Sequence, residues 1–243
     1  MKALKRILPA VLAFALAAAV FAGSCAAQAA FGGPPPEGGV AGAQMPAEFI
    51  FRQSADAVFL LETFDKSGDS IRTGSGFFIS EDGLGVTNLH VINDAASATI
   101  TLYNGDTYPV RGVCATSQEF NLCVISIDSD GGKWDFLPLA DSDYVEAGNT
   151  VYAIGSPLGY INTMTAGIIS NTRREVEGET LIQFTAPISF GSGGSPLLNT
   201  AGEVVGVTSS SFSYGQNLNL AVPVNHVKAM QIGSSVPLSK LLG

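Results

Sequence analysis

Twelve short apolar segments, arranged as two sets of six about one polar break, constrain this chain more than any other feature. The first set occupies 58–64, 76–80, 85–87, 98–103, 108–113 and 122–127. The break is 128–134 (DSDGGKW), and the second set occupies 150–154, 164–169, 181–184, 196–198, 204–208 and 218–222. Each segment is rich in β-branched or aromatic residues, and turn clusters such as Ser80-Glu-Asp-Gly and Asn104-Gly105 separate them. Strands this short and evenly spaced build barrels or sandwiches, not βαβ units. The pattern predicts an all-β domain of two six-stranded antiparallel barrels, the first over about 58–128 and the second over about 135–222. Helix is expected only at 47–57, where Phe49, Ile50 and Phe51 offer an apolar face, and at 223–230 near the C-terminus. No repeat between the two halves is visible in the sequence.

The segment before this domain reads as targeting and tether. Lys2, Lys5 and Arg6 precede an apolar run over 7–22, too short for a stable span, so residues 1–29 are expected to be a signal peptide. Two cleavage readings stand side by side. Ala27-Gln28-Ala29 is a small-x-small site, and Ala22-Gly23-Ser24-Cys25 resembles a lipoprotein box that would place a lipid on Cys25. Both put the domain outside the cytoplasm, as a periplasmic, extracellular or membrane-anchored protein. Residues 30–46 (FGGPPPEGGVAGAQMP from Phe31) are Gly/Pro-rich and without apolar period, the composition of a flexible tether.

Charge excludes one class of partner. The 243 residues carry 12 Lys and Arg against 21 Asp and Glu, a net charge of −9. Without the three basic residues of the leader the balance is near −12. Such a surface repels phosphate backbones, and no basic stripe opposes it, so no nucleic-acid partner is expected. Cys114 and Cys123 fall on two neighbouring predicted strands. They read equally well as a disulfide in an oxidising compartment or as two small buried hydrophobes. With only His90 and His226 in the chain, no metal site and no cofactor are expected.

Three segments, in order, resemble the trypsin-like serine endopeptidases of the bacterial HtrA type. The first is Gly74-Ser-Gly-Phe-Phe-Ile-Ser-Glu-Asp-Gly-Leu-Gly-Val-Thr-Asn-Leu-His-Val-Ile, whose T-N-x-H-V part delivers the family's catalytic histidine, here His90. The second, Glu119-Phe-Asn-Leu-Cys-Val-Ile-Ser-Ile, is similar to the strand that carries the orienting aspartate. The third, Ala186-Pro-Ile-Ser-Phe-Gly-Ser-Gly-Gly-Ser-Pro-Leu-Leu-Asn, is similar to the nucleophile loop G-N-S-G-G-P-L. Downstream, Gly215-Gln-Asn-Leu-Asn-Leu-Ala-Val-Pro resembles the strand that lines the primary specificity pocket. The resemblance spans about 47–230. It implies two barrels of the trypsin/chymotrypsin type within one protease domain over 47–243. The chain ends at Gly243, so the family's PDZ module is not expected. Trimerisation, common in the family, is left open as a homo-oligomer.

Acyl transfer needs an oxygen nucleophile, an imidazole to take its proton, a carboxylate to orient the imidazole, and N–H groups aimed at the oxyanion. The resemblance places Asn121 where the family has Asp. An amide can orient a ring but cannot offset an imidazolium charge, and it can favour the wrong tautomer. Aligned without gaps from Gly191 to Pro196, the nucleophile position falls on Gly193. The N–H groups of Gly191 and Gly193 remain available as an oxyanion hole. Ser192 could serve as a nucleophile only if the loop shifted by one residue. Ser195 should point into the barrel packing, and Glu119, if on a strand, would share a side with Asn121. Thr185, Leu218 and Leu220 form a shallow apolar substrate pocket by analogy with the family, or else ordinary core. His226 is expected on the surface.

Three functional readings fit these residues. One is a pseudo-protease that holds an extended peptide or unfolded segment, since a groove can bind by strand addition without a nucleophile. The second is a serine endopeptidase using Ser192, His90 and Asn121, with a role in protein quality control. The third is an interaction domain whose groove is unused.

Overall fold

The computed structural model describes residues 44–128, 131–209 and 218–240. The expectations for the signal peptide, the Cys25 lipid anchor and most of the tether lie outside the described residues, as do Gly215, Gln216 and Asn217.

The chain forms two closed six-stranded antiparallel barrels. The first contains β1 (Val58–Phe64), β2 (Ser70–Phe78), β3 (Leu84–Asn88), β4 (Ser97–Thr101), β5 (Thr107–Ser117) and β6 (Leu122–Ile127). The second contains β7 (Thr150–Gly155), β8 (Thr163–Val176), β9 (Glu179–Phe184), β10 (Pro196–Leu198), β11 (Val204–Ser209) and β12 (Asn219–Pro223). The ring order β1-β2-β3-β6-β5-β4 recurs in the second barrel as β7-β8-β9-β12-β11-β10. The two halves therefore repeat in topology although not in sequence. Closure leaves neither sheet with an open edge.

Among the described residues three α-helical segments accompany the barrels: α1 (Ala47–Ser54), α2 (Leu89–Ile92) and α3 (Asn225–Lys228). On α1 the three apolar residues do not share a face. Ile50 is fully buried, whereas Phe49 is exposed beneath the Arg52 guanidinium, because adjacent helical residues point about 100° apart. Met45, within the stretch that composition assigns to the tether, is already docked: its N–H donates to Thr200 O at 2.9 Å.

The apolar faces divide into three layers. Phe59, Leu61, Phe78, Ile100, Ile125 and Trp134 fill the first barrel, with Phe78 stacked on Trp134 at 4.6 Å. Val151, Ile169, Ile182, Phe184 and Leu197 fill the second. Between them Phe77, Val86 and Val124 meet Ile154, Leu181, Leu198 and Val222 in one continuous layer. Shared apolar burial of this kind sets the barrels firmly against one another.

Cys114 and Cys123 are free thiols. In the β5–β6 register Cys123 lies opposite Thr116, and an irregularity between Val113 and Ala115 takes Cys114 out of alignment. Burial, with Cys114 adding to it, pushes the Cys123 thiol up to about 12, so it behaves as a small hydrophobe. The ring of His226, expected on the surface, is half-buried and stacked 3.7 Å from Phe120. The loop between β9 and β10 of the second barrel meets β2 and the end of β3 in the first.

Candidate functional site

His90 lies on α2, the single turn immediately after β3. Because β3 pairs with β6 so that Asn88 faces Leu122, the residue before Leu122 is brought beside that turn. This is Asn121. Its carbonyl accepts the Leu89 N–H at 2.9 Å and the Asn88 side-chain amide at 3.3 Å. Its own backbone is left-handed, at φ +49°, a conformation Asn adopts more readily than most residues.

The Asn121 side chain is fixed at both ends. Its Oδ1 accepts the His90 backbone N–H at 2.9 Å, and its Nδ2 lies 2.8 Å from His90 Nδ1. The backbone N–H can only donate, so the oxygen must be the atom that faces it. The amide nitrogen must then face the ring, and Nδ2 donates to Nδ1. With Nδ1 an acceptor, the neutral ring carries its proton on Nε2. A carboxylate at this position would accept from both groups and hold the opposite tautomer. Replacing one carboxylate oxygen by NH2 therefore inverts the ring, and Nε2, the atom that would take a nucleophile's proton, already bears one.

The His90 pKa lies below the ordinary histidine value, first because the ring is buried and further because the Arg72 guanidinium stands near it. The Asn121 hydrogen bond would raise it only by turning the amide oxygen to the ring, and that oxygen is held by the His90 N–H. At neutral pH the ring is an uncharged donor.

The loop between β9 and β10 supplies the other half of the site. Gly191 and Gly194 have φ of +89° and +88°, and a Cβ on Gly194 would stand 2.2 Å from Ser75 O. Gly193 is not among the positive-φ residues, so its backbone is one that serine can adopt. The carbonyls of residues 190 to 193 are each held from outside the loop or within it. Phe190 O accepts the Leu158 N–H at 2.8 Å; Ser192 O accepts the Thr208 hydroxyl at 2.6 Å and the Ser195 N–H at 3.1 Å; Gly193 O accepts the Ser75 N–H at 2.8 Å. In a trans peptide the N–H points opposite to the C=O. The Gly191 N–H is thus turned away from Leu158, and the Gly193 N–H away from Thr208. Among the described residues neither N–H has an acceptor.

Ser75, in β2, locks this loop to the first barrel. Besides its N–H bond to Gly193 O, its hydroxyl donates to Gly191 O at 2.7 Å and accepts the Ser156 N–H at 2.8 Å. Gly194 abuts Asn88, two residues before His90: a Cβ there would lie 3.1 Å from the Asn88 nitrogen. Ser75, Leu158 and Thr208 are positioning residues that the sequence did not single out. Ser75 was visible only as part of Gly74-Ser-Gly. Leu158, in a strained left-handed conformation at φ +54°, has no signal in the sequence.

Ser192 is buried, and its hydroxyl accepts the Ser189 N–H at 3.2 Å while its own N–H donates to Ser189 O at 2.9 Å. It faces a cavity of about 130 Å³ walled by Gly155, Thr165, Ile188 and Ser195 among others, and makes no hydrogen bond to His90. Ser195 is fully buried, with its hydroxyl unpartnered. Glu119 is exposed on a turn, not a strand, and its charge acts on His226 and Glu179 rather than on His90. Thr185, Leu218 and Leu220 do not converge on a pocket. Thr185 bonds Ile168 through its hydroxyl at 2.9 Å, Leu218 is 47% exposed, and Leu220 belongs to the layer between the barrels. Alternation along β12 sends Leu220 inward, the core reading.

The order of these elements, with a histidine turn on the first barrel and a glycine-rich loop on the second, is that of the trypsin-like double-barrel fold. Residues 74–207 match the family described as "Trypsin-like peptidase domain", and the chain belongs to that family, among relatives of the HtrA type. The HhoA protein of Synechocystis sp. is 34% identical over 68% of this chain and 44% of its own length. The "Probable periplasmic serine endoprotease DegP-like" of Rhizobium meliloti is 37% identical over 62% of this chain and 30% of its own. This chain therefore spans less than half the length of these curated relatives. The crystal structure of Deg5 superposes with a TM-score of 0.64 at 28% identity, over 74% of this chain and 90% of that one.

Proposed function

We propose that this chain is an exported, catalytically silent member of the trypsin-like family that holds extended peptide or unfolded protein segments. The observation that carries the reading is the Asn121 amide, held so that it donates to His90 Nδ1. Together with glycine at 193, it removes both the attacking atom and the base that would activate it, while the peptide-binding N–H groups remain. Two separate substitutions that abolish one reaction argue for a lost activity. Export is inferred from the basic, apolar leader and agrees with relatives named as periplasmic. Whether Cys25 carries a lipid and whether the chain self-assembles belong to the same proposal.

The test is labelling with a fluorophosphonate that marks activated serines. The natural protein should stay unlabelled, and a Gly193→Ser, Asn121→Asp double variant should label. Labelling of the natural protein that disappears in Ser192→Ala would overturn the proposal and make this a working serine endopeptidase.

A further inference from the structure

The donors that survive at this site all point to one kind of ligand atom. The Gly191 and Gly193 N–H groups are without protein acceptors among the described residues, and the carbonyls of Phe190 and Ser192 are tied back so that these N–H groups keep their direction. The hydrogen bonds of Asn121 oblige His90 to present a third donor, Nε2–H. No hydroxyl stands at position 193 to accept from it. The site thus offers three N–H donors, and among the described residues none of them is bonded to a side-chain acceptor.

An internal peptide bond suits this set poorly. Its carbonyl oxygen would satisfy the Gly191 and Gly193 donors. The group bonded to that carbonyl is another N–H, which meets the His90 Nε2–H donor to donor and leaves a half-buried polar group unpaired. A carboxylate has two acceptor oxygens. One fills the hole, and the second takes the place a serine hydroxyl would occupy and accepts from His90. The missing hydroxyl supplies the room for it. Phe190, 83% exposed, adjoins Gly191 in the chain, and Leu158, 70% exposed, is joined to it through the Leu158 N–H to Phe190 O bond. That apolar rim fits the side chains of a peptide and not a small bare anion.

We propose that the ligand of this site is the free C-terminal carboxylate of a peptide, so that the domain captures chain ends such as those left by proteolysis. This rests on the peptide-holding reading above and narrows it.

The test is fluorescence anisotropy with the full chain and N-terminally labelled hexapeptides randomised at their last four positions, prepared once as free acids and once as C-terminal amides. The acids should bind at least about tenfold more tightly, the effect of one charge-assisted hydrogen bond and its unpaired partner. Asn121→Asp should abolish that preference by reversing the ring and adding a negative charge. Equal binding of acids and amides would overturn the carboxylate inference and leave the peptide-holding reading standing. Binding of neither pool would overturn both. Displacement of the acid pool by acetate at matched concentration would overturn the peptide component.

Discussion

The two barrels contribute to the site in different materials. The first supplies side chains, His90 and Asn121, placed by the β3–β6 register. The second supplies backbone, the N–H groups of Gly191 and Gly193. Under the proposed function the two halves are affected unequally: the Asn121 amide makes the imidazole of the first barrel a donor, and glycine at 193 leaves the second barrel without a nucleophile. The N–H directions survive, because they depend on carbonyls held by Leu158, Thr208 and Ser195. Chemistry carried by a side chain is lost with one residue, whereas geometry carried by backbone persists as long as the fold does.

The largest expected effect breaks this contrast by restoring the side chains. The Gly193→Ser, Asn121→Asp variant should react with fluorophosphonate, and comparison with Gly193→Ser alone isolates the first barrel's share. The single variant should label about 10⁴-fold more slowly, the cost of an amide beside the catalytic histidine; equal rates would show that the ring is not held as described. Nitrogen NMR of the ring checks the same point directly. Nε2 should carry the proton in the natural protein and Nδ1 in Asn121→Asp.

Ser75→Ala tests the second half. It removes the hydroxyl that donates to Gly191 O and accepts from Ser156 N, leaving two part-buried groups unpaired at about 2–4 kcal/mol in total. Denaturant titration should show that loss, and in the restored background labelling should fall with it. Leu158 offers a finer test. Leu158→Val should destabilise by about 1–3 kcal/mol, since a β-branched residue tolerates φ +54° worst, while Leu158→Gly should relieve the strain.

The smallest effect is the pH response. His90 and His226 both have folded pKa values below the ordinary value, each chiefly through burial. The unfolded chain therefore binds more protons, and stability should fall as pH drops below about 6.5. Above that pH these groups contribute no slope. Thermal melts at pH 7.5 and 5.5 should show a smaller difference in His226→Gln than in the natural chain.

Much of this molecule was legible in its sequence. The twelve strands arise from local composition and turn residues, and two sets of six strands close as two barrels. The resemblance marks Gly193, in a loop aligned without a gap, and Asn121 as departures from the family pattern, and the role given to each belongs to the proposed function. Failures arose where burial, not local pattern, decides. Leu220 enters the core instead of lining a pocket, His226 stacks on Phe120 instead of facing water, and Glu119 lies on a turn that sends it away from His90.

Residue order alone specifies the fold class and which residues stand at 90, 121 and 193, because strand periodicity and residue identity are local properties. How those residues are oriented is settled by contacts between distant segments. The direction of the Asn121 amide depends on a hydrogen bond from the His90 backbone, 31 residues away in sequence. The direction of the Gly191 N–H depends on Leu158, held in a conformation that no local preference of leucine would produce. Such directions are set by partners remote along the chain, and they exist only once the barrels have closed.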